Sequence, residues 1–238
     1  MSIYELTKNQ SKIWVEKYLN PFMEENDFKL KKSKNSDLYY LKKTDYGFQR
    51  LNLGFLNSWP GTKIEYAFFV RYERIEEIFD NTLVQLDSEY KVKKDSHSIG
   101  TSQGSFENKR TNSYMPEMVT EEEVKKSCDL VIIFLQKIGF SLAQRFSDIK
   151  ELDKEINGEN FWESDWQMPF TMGGSFPIKR IIIALLSNNP RFEDLIIFHI
   201  NDMETKIKKG EYIEIHQKGL NKFLGAVKYI RDNFQNNL

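Results

Sequence analysis

Residues 49–72 read QRLNLGFLNSWPGTKIEYAFFVRY. Leu51, Leu53 and Phe55 fall on one side of the first run, and Ile64, Tyr66, Phe68, Val70 and Tyr72 on one side of the second. Successive side chains on a strand point to opposite faces, so this alternation predicts two strands, each with one buried face. Between them stands Ser58-Trp59-Pro60-Gly61. Proline suits the second position of a turn and glycine accepts the positive φ that a type II turn demands at the third, so the two runs are expected to be antiparallel neighbours.

The pattern extends upstream. Phe28 to Lys32 alternates apolar and basic residues, and Asp37 to Lys43 is extended around Tyr39, Tyr40 and Leu41; the polar Ser33 to Ser36 separates them, as in a hairpin. Before it, Ile13, Trp14, Tyr18, Phe22 and Met23 recur at helical spacing, with Asn20-Pro21 either kinking that amphipathic helix or starting a second short one. A helix followed by a four-stranded meander results. Such a sheet has one covered and one wetter face, and Tyr39, Tyr40, Phe48, Trp59 and Phe69 are candidates for the wetter one. Lys29 and Lys31 point the same way, firstly as a solvated sheet face and secondly as a patch for phosphate or an acidic partner.

Downstream, Ile75, Ile78, Phe79 and Leu83 form one stripe of a helix over 74–86, which leaves Glu73, Glu76 and Glu77 to face solvent. Lys91 to Lys94 and Ile99 to Phe106 are further strands or a polar loop, and 107–119 reads as a linker. From Thr120 the period becomes 3.6. Thr120 and Glu123 have capping-box spacing, and Val124, Cys128, Val131, Ile132 and Leu135 lead to Gly139, a candidate stop. A second helix carries Leu142, Phe146, Ile149, Leu152 and Ile156. Three more cover Ile178 to Leu186, Arg191 to Lys208 and Ile215 to Phe234. No repeat period appears. The expected class is α+β, with a helix-plus-antiparallel-sheet region over 1–117 and an all-helical region over 118–238 packed as one unit.

Composition narrows the chemistry. With 34 basic against 35 acidic residues, 40% hydrophobic and 29% charged, the chain is neither disordered nor a polycation, and no duplex-binding concentration of Lys and Arg emerges. The single cysteine, Cys128, reads as a core thiol. The opening MSIYELTKNQ lacks a signal peptide's apolar segment, and the apolar runs 130–135 and 181–186 fall short of the roughly 20 residues a bilayer requires. A cytoplasmic protein without membrane or nucleic-acid partners is expected. His97, His199 and His216 belong to no metal-binding pattern, and neither metal nor cofactor is expected. His199 with Asp202 one turn on could form a general base, although a buried structural histidine is the preferred reading. Gly173-Gly174-Ser175 ahead of Phe176-Pro177 reads as a turn and helix entry rather than a phosphate loop. No hydrolase elbow, kinase set or Cys/His pairing is present.

The non-periodic stretch 161–170, FWESDWQMPF, either plugs the junction of the sheet and helical regions or anchors a partner. Trp59, Trp162, Glu163, Asp165 and Trp166 are therefore the candidate partner-binding residues.

The succession Asn20-Pro-Phe-Met-Glu-Glu-Asn-Asp-Phe-Lys-Leu-Lys, Asp37-Leu-Tyr-Tyr-Leu, Gln49-Arg-Leu-Asn-Leu-Gly-Phe and Glu65-Tyr-Ala-Phe-Phe-Val resembles the bacterial family known as domain of unknown function 4304, over about residues 8–110. The resemblance implies a small α+β protein with an N-terminal helix, a Gly-Phe-x-Lys entry to the first strand and an antiparallel meander. Some members are suspected immunity proteins encoded beside toxins. Asp27 stands here in place of the usual glycine before Phe28, and no catalytic residues come with the family. The function expected is thus that of a cytoplasmic bacterial protein-binding module, immunity-protein-like, acting stoichiometrically without catalysis. The alternative is a small-ligand-binding protein or enzyme with its site between the two regions, using His199, Asp202 or Glu163.

Overall fold

The alternation around residues 38–72 is realised as the middle of a sheet. The structure is a computed structural model that describes residues 8–32, 38–58, 61–102, 116–159, 171–172 and 175–234. Helix α1 (Lys8–Glu25) precedes strands β1 (Lys29–Lys32), β2 (Leu38–Thr44), β3 (Gly47–Ser58) and β4 (Gly61–Tyr72); α2 (Glu73–Leu86) and β5 (Ile99–Ser102) follow. Then come α3 (Glu121–Phe134), a π-helical turn (Leu135–Gly139), α4 (Phe140–Arg145), α5 (Ile149–Asn157), the two-residue β6 (Thr171–Met172), α6 (Phe176–Leu186), α7 (Phe192–Lys208) and α8 (Ile213–Phe234). The fold is α+β, and the strands lie in the order β1-β2-β3-β4-β5-β6, antiparallel where β1 meets β2, β2 meets β3 and β4 meets β5.

The chain divides into two units, neither of them a contiguous half. The first comprises 1–71, 99–144 and 169–171, and the second 72–98, 145–168 and 172–238. The boundary expected near residue 117 is therefore not where the chain divides: α2 belongs with the C-terminal helices, and α3 belongs with the sheet.

In the first unit, Leu38, Tyr40, Leu51, Leu53, Phe55, Ile64, Tyr66, Phe68 and Val70 all point to one buried face. Tyr40, a candidate for the wetter face, lies on this side instead; its hydroxyl donates to Asn20 Oδ1 at 2.6 Å, and burial pushes its pKa up. Helix α1 continues through Pro21 as one helix. Its buried residues are Ser11, Lys12, Val15, Leu19 and Met23, so of the expected stripe only Met23 is buried, Trp14, Tyr18 and Phe22 are half-buried, and Ile13 is 59% exposed. Helix α1 packs on α3, and Lys17 and Tyr18 both reach Glu121, at 2.7 Å each.

The exit from α1 fixes how the sheet begins. Asp27 N–H donates to Glu24 C=O (3.0 Å) and Phe28 N–H to Met23 C=O (2.8 Å), the paired bonds of a Schellman motif. Asp27 sits at the position that must turn left-handed, with φ at 66°. Asp tolerates this conformation better than most residues, but glycine does so without steric cost. The turn delivers Phe28 into a cluster with Phe22, Phe68 and Phe140, ring centroids 5.8–6.3 Å apart.

The capping box before α3 forms as expected, with Thr120 Oγ1 accepting from Glu123 N–H and Glu123 accepting from Thr120 N–H. Gly139 does not stop the helix. It ends a π-helical turn and the chain runs on as α4; a Cβ on Gly139 would lie 3.0 Å from the ring of Phe68, so the glycine is there for close approach. Among the described residues, the helical stretch Glu121–Arg145 is long and apolar enough to cross a membrane by length and composition, a test that buried core helices also pass.

In the second unit α6 touches α2, α5, α7 and α8, and α7 packs along α8. The expected helix ends at Asn188 and Gly210 are present, both with positive φ. Residues 91–94 form no strand, and Leu224, placed on the apolar side of α8, is 43% exposed.

Replacing Asp27 by glycine removes the left-handed Cβ clash and should raise the unfolding free energy measured in urea by up to about 1 kcal/mol, whereas a β-branched Val there should lower it by about 1–2 kcal/mol. Equal stability of the two variants would contradict the role assigned to this residue.

Candidate functional site

The five residues chosen from sequence as partner-binding, Trp59, Trp162, Glu163, Asp165 and Trp166, lie outside the described residues. Two other groups of side chains carry the chemistry. One is the outer face of the sheet in the first unit, and the other is a buried polar lattice in the second.

On the outer face, register sets Lys29 opposite Leu41, Lys31 opposite Tyr39, Leu41 opposite Arg50 and Lys43 opposite Phe48. Directly paired residues on neighbouring strands point to the same side, so these seven share one face. Arg50 is its centre. Its guanidinium carbon lies 5.5 Å from the ring centroid of Phe69, 5.8 Å from Phe48 and 5.9 Å from Tyr39, and that of Arg71 lies 6.0 Å from Phe48. Cations are held over aromatic faces by the ring quadrupole. Phe69 pairs with Gly100 on β5, and a Cβ on Gly100 would come within 2.4 Å of the Phe69 ring. The glycine thus lets the ring lie down on the strand. Tyr39, Phe48, Arg50 and Phe69 are half-buried, Lys29, Lys31 and Lys43 are exposed, and Arg71 is buried, so the face is most open toward β1 and β2.

The buried lattice grows from two adjacent cations on α6. Lys179 and Arg180 are 1% and 0% exposed inside an otherwise apolar helix. Lys179 Nζ donates to Glu76 Oε1 at 2.6 Å and to the His97 carbonyl at 2.9 Å, and it lies 4.8 Å from the Phe79 ring centroid. Ser98 Oγ and Ser96 Oγ donate to the two oxygens of Glu76 at 2.7 and 2.8 Å. Glu76 is itself fully buried, which corrects the expectation that Glu73, Glu76 and Glu77 all face solvent; Glu73 and Glu77 do. The physical reason is the lysine opposite, because a buried carboxylate is tolerated when a cation and hydroxyl donors replace its water.

Arg180 Nε donates to Asn157 Oδ1 (2.8 Å), one terminal nitrogen to the Ile156 carbonyl (2.8 Å) and the other to His199 Nε2 (3.1 Å). Asn157 and Asn189 each donate to Asp153, at 2.7 and 2.6 Å. Burial lowers the Arg180 pKa to about 9, against the raising effect of Asp153. Arginine has no acceptor, so His199 Nε2 accepts and its proton sits on Nδ1. Burial, then Arg180, push the His199 pKa down to about 3. His199 is thus the structural histidine expected. Asp202 turns to Lys206 at 2.7 Å, so the pair does not form a general base in this geometry. Cys128 is buried, and burial pushes its thiol up to about 12, as for a core thiol.

No group of three or more His, Cys, Asp or Glu residues able to hold a metal occurs among the described residues. Reading the sequence missed the lattice; the one signal for it was Lys179-Arg180 inside the apolar run from Ile178 to Leu186. No protein-family model, curated protein or solved structure matches this chain.

Removing one member of the buried ion pair leaves the other uncompensated, so Lys179→Met should cost about 3–5 kcal/mol in urea unfolding, and adding Glu76→Gln should recover part of it. A fully additive double variant would refute the pairing. His199 has a folded pKa of about 3 against an ordinary 6.5, so its neutral form is favoured by folding. Its contribution is complete above pH 6.5 and is lost as pH falls toward 3, by up to about 1.4 kcal/mol per pH unit. His199→Gln should flatten the stability profile in that window, and a profile unchanged in slope would contradict the assignment.

Proposed function

We propose that this chain is a non-catalytic protein-binding module that engages its partner through the outer face of the sheet. The observation that carries the reading is the Arg50 guanidinium set among Tyr39, Phe48 and Phe69 on a half-exposed face. Arginine and large aromatics dominate binding energies at protein interfaces, and stacking fixes the arginine in advance, so little side-chain freedom is lost on docking. Binding on this reading is stoichiometric: the described groups on this face recognise and hold, and among them none is a nucleophile with a base beside it.

The resemblance of residues 8–110 to a family with suspected immunity proteins makes a toxin domain the first partner to test. Supporting it, Asp27 takes the left-handed conformation at the position where that family carries glycine. The alternative of a ligand or enzyme site built on His199 and Asp202 has weaker support, because His199 is engaged by Arg180 and Asp202 by Lys206.

The test is affinity capture from a bacterial lysate with the full chain, followed by binding of the purified partner. Arg50→Ala should weaken that binding by about thirtyfold, as loss of an interface hot spot does, while the fold is retained. A folded Arg50→Ala chain that binds the partner as tightly as the parent would overturn the reading.

A further inference from the structure

We propose that the partner presents an acidic protein surface to the β1–β2 side of the sheet's outer face. The inference rests on the binding reading above and adds the partner's chemistry. Lysines in these strands fall into two sets according to the face they occupy. Lys32 and Lys42 point toward α1 and pair with Glu16 at 3.2 Å and Asp27 at 3.3 Å. Lys29, Lys31 and Lys43 point outward, are exposed, and have no ion pair among the described residues.

Every outward position of β1, β2 and β3 is basic, aromatic, aliphatic, small or amide: Lys29, Lys31, Tyr39, Leu41, Lys43 and, on β3, Phe48 to Leu56 at alternate residues. Among the described residues the carboxylates on this face lie away from β1 and β2: Glu65 on β4, whose Cβ is 3.8 Å from where a Cβ on Gly54 would sit, and Glu117, which accepts from Ser58 Oγ at 2.9 Å at the far end of β3 and lies 3.5 Å from Lys63. A chain of net charge −1 thus gathers one sign of charge around an apolar strip. Complementary charge steers encounter and fixes register at an interface, while the strip supplies apolar contact.

Single-stranded nucleic acid would also answer a basic, aromatic sheet, but it binds by stacking bases on open ring faces. Here the guanidinium of Arg50 lies against Tyr39, Phe48 and Phe69, and Phe69 rests on Gly100. The exposed lysines Lys29, Lys31 and Lys43, rather than the rings, are left to be read, which favours carboxylates. Lysines on an edge strand also deter edge-to-edge pairing of sheets. Charge reversal separates the two roles, because glutamates keep the edge charged while inverting its sign.

The experiment compares the full chain with the triple variant Lys29→Glu, Lys31→Glu, Lys43→Glu. Two fluorescent probes are used, an oligo-glutamate peptide and an oligouridylate of matching length, together with the partner captured by the parent chain. The parent is expected to bind the peptide with an affinity that falls as salt rises, and the variant to bind both peptide and partner at least about tenfold more weakly. Tighter binding of the oligouridylate than of the peptide by the parent overturns the proposal in favour of nucleic acid. Equal binding of the partner by parent and variant overturns it while leaving the binding reading intact, whereas failure of the parent to capture any partner sinks the binding reading itself. If the glutamate variant does not fold, Lys29→Gln, Lys31→Gln, Lys43→Gln removes the charge with less perturbation, and undiminished binding by it overturns the proposal equally.

Discussion

Two adjacent cations buried on one helix set the terms for the second unit. Consecutive residues on an α-helix point about 100° apart, so Lys179 and Arg180 need separate sets of partners on different sides of α6. Lys179 takes Glu76 from α2 and the backbone at His97, and Arg180 takes Asn157 and the Ile156 carbonyl at the end of α5 together with His199 from α7. Neither cation can stay buried unless these elements are all present, since a desolvated charge without partners costs several kcal/mol. The lattice therefore selects one arrangement of helices that apolar side chains alone would leave less defined. Glu76 and Asp153 balance the two positive charges, and His199 stays neutral beside them.

The first unit is organised by shape instead. Its core is an alternating face of aliphatic and aromatic residues covered by α1 and α3, and close approach is secured by glycine at Gly139 and by the left-handed turn at Asp27. Polar chemistry is displaced to the opposite face, where strand pairing fixes which side chains meet. The two solutions differ in what they leave accessible. The lattice satisfies its own charges in the interior, whereas the outer sheet face holds Arg50 over aromatic rings that stay half-exposed.

Most elements were legible because their signals are local. Alternation exposed β3 and β4, Thr120 and Glu123 marked the start of α3, and Gly210 marked the end of α7, each through a preference acting over a few residues. What failed depended on distant partners. Glu76 reads as a surface residue on its own helix, and only Lys179, more than a hundred positions later, makes it a buried one. Gly139 reads as a helix stop, and only the ring of Phe68 explains why a glycine stands there inside a continuing helix. The outer face was visible in part, through Lys29, Lys31 and the aromatics, but its focus on Arg50 follows from register, which alternation alone does not supply. Of the expected binding anchors, Trp162, Glu163, Asp165 and Trp166 stand out by lack of periodicity and Trp59 by its place in a turn between strands, and neither signal supplies a pairing that could place them.

The burial of Lys179 has a chemical consequence. Amine-reactive reagents modify lysines in proportion to the time their amines spend in water, and most of the described lysines are exposed. Lys179, 1% exposed and engaged by Glu76 and a carbonyl, reacts only when its surroundings open. Its labelling rate is therefore a built-in clock for the breathing of the helical unit, readable at a single native residue by mass spectrometry without any substitution.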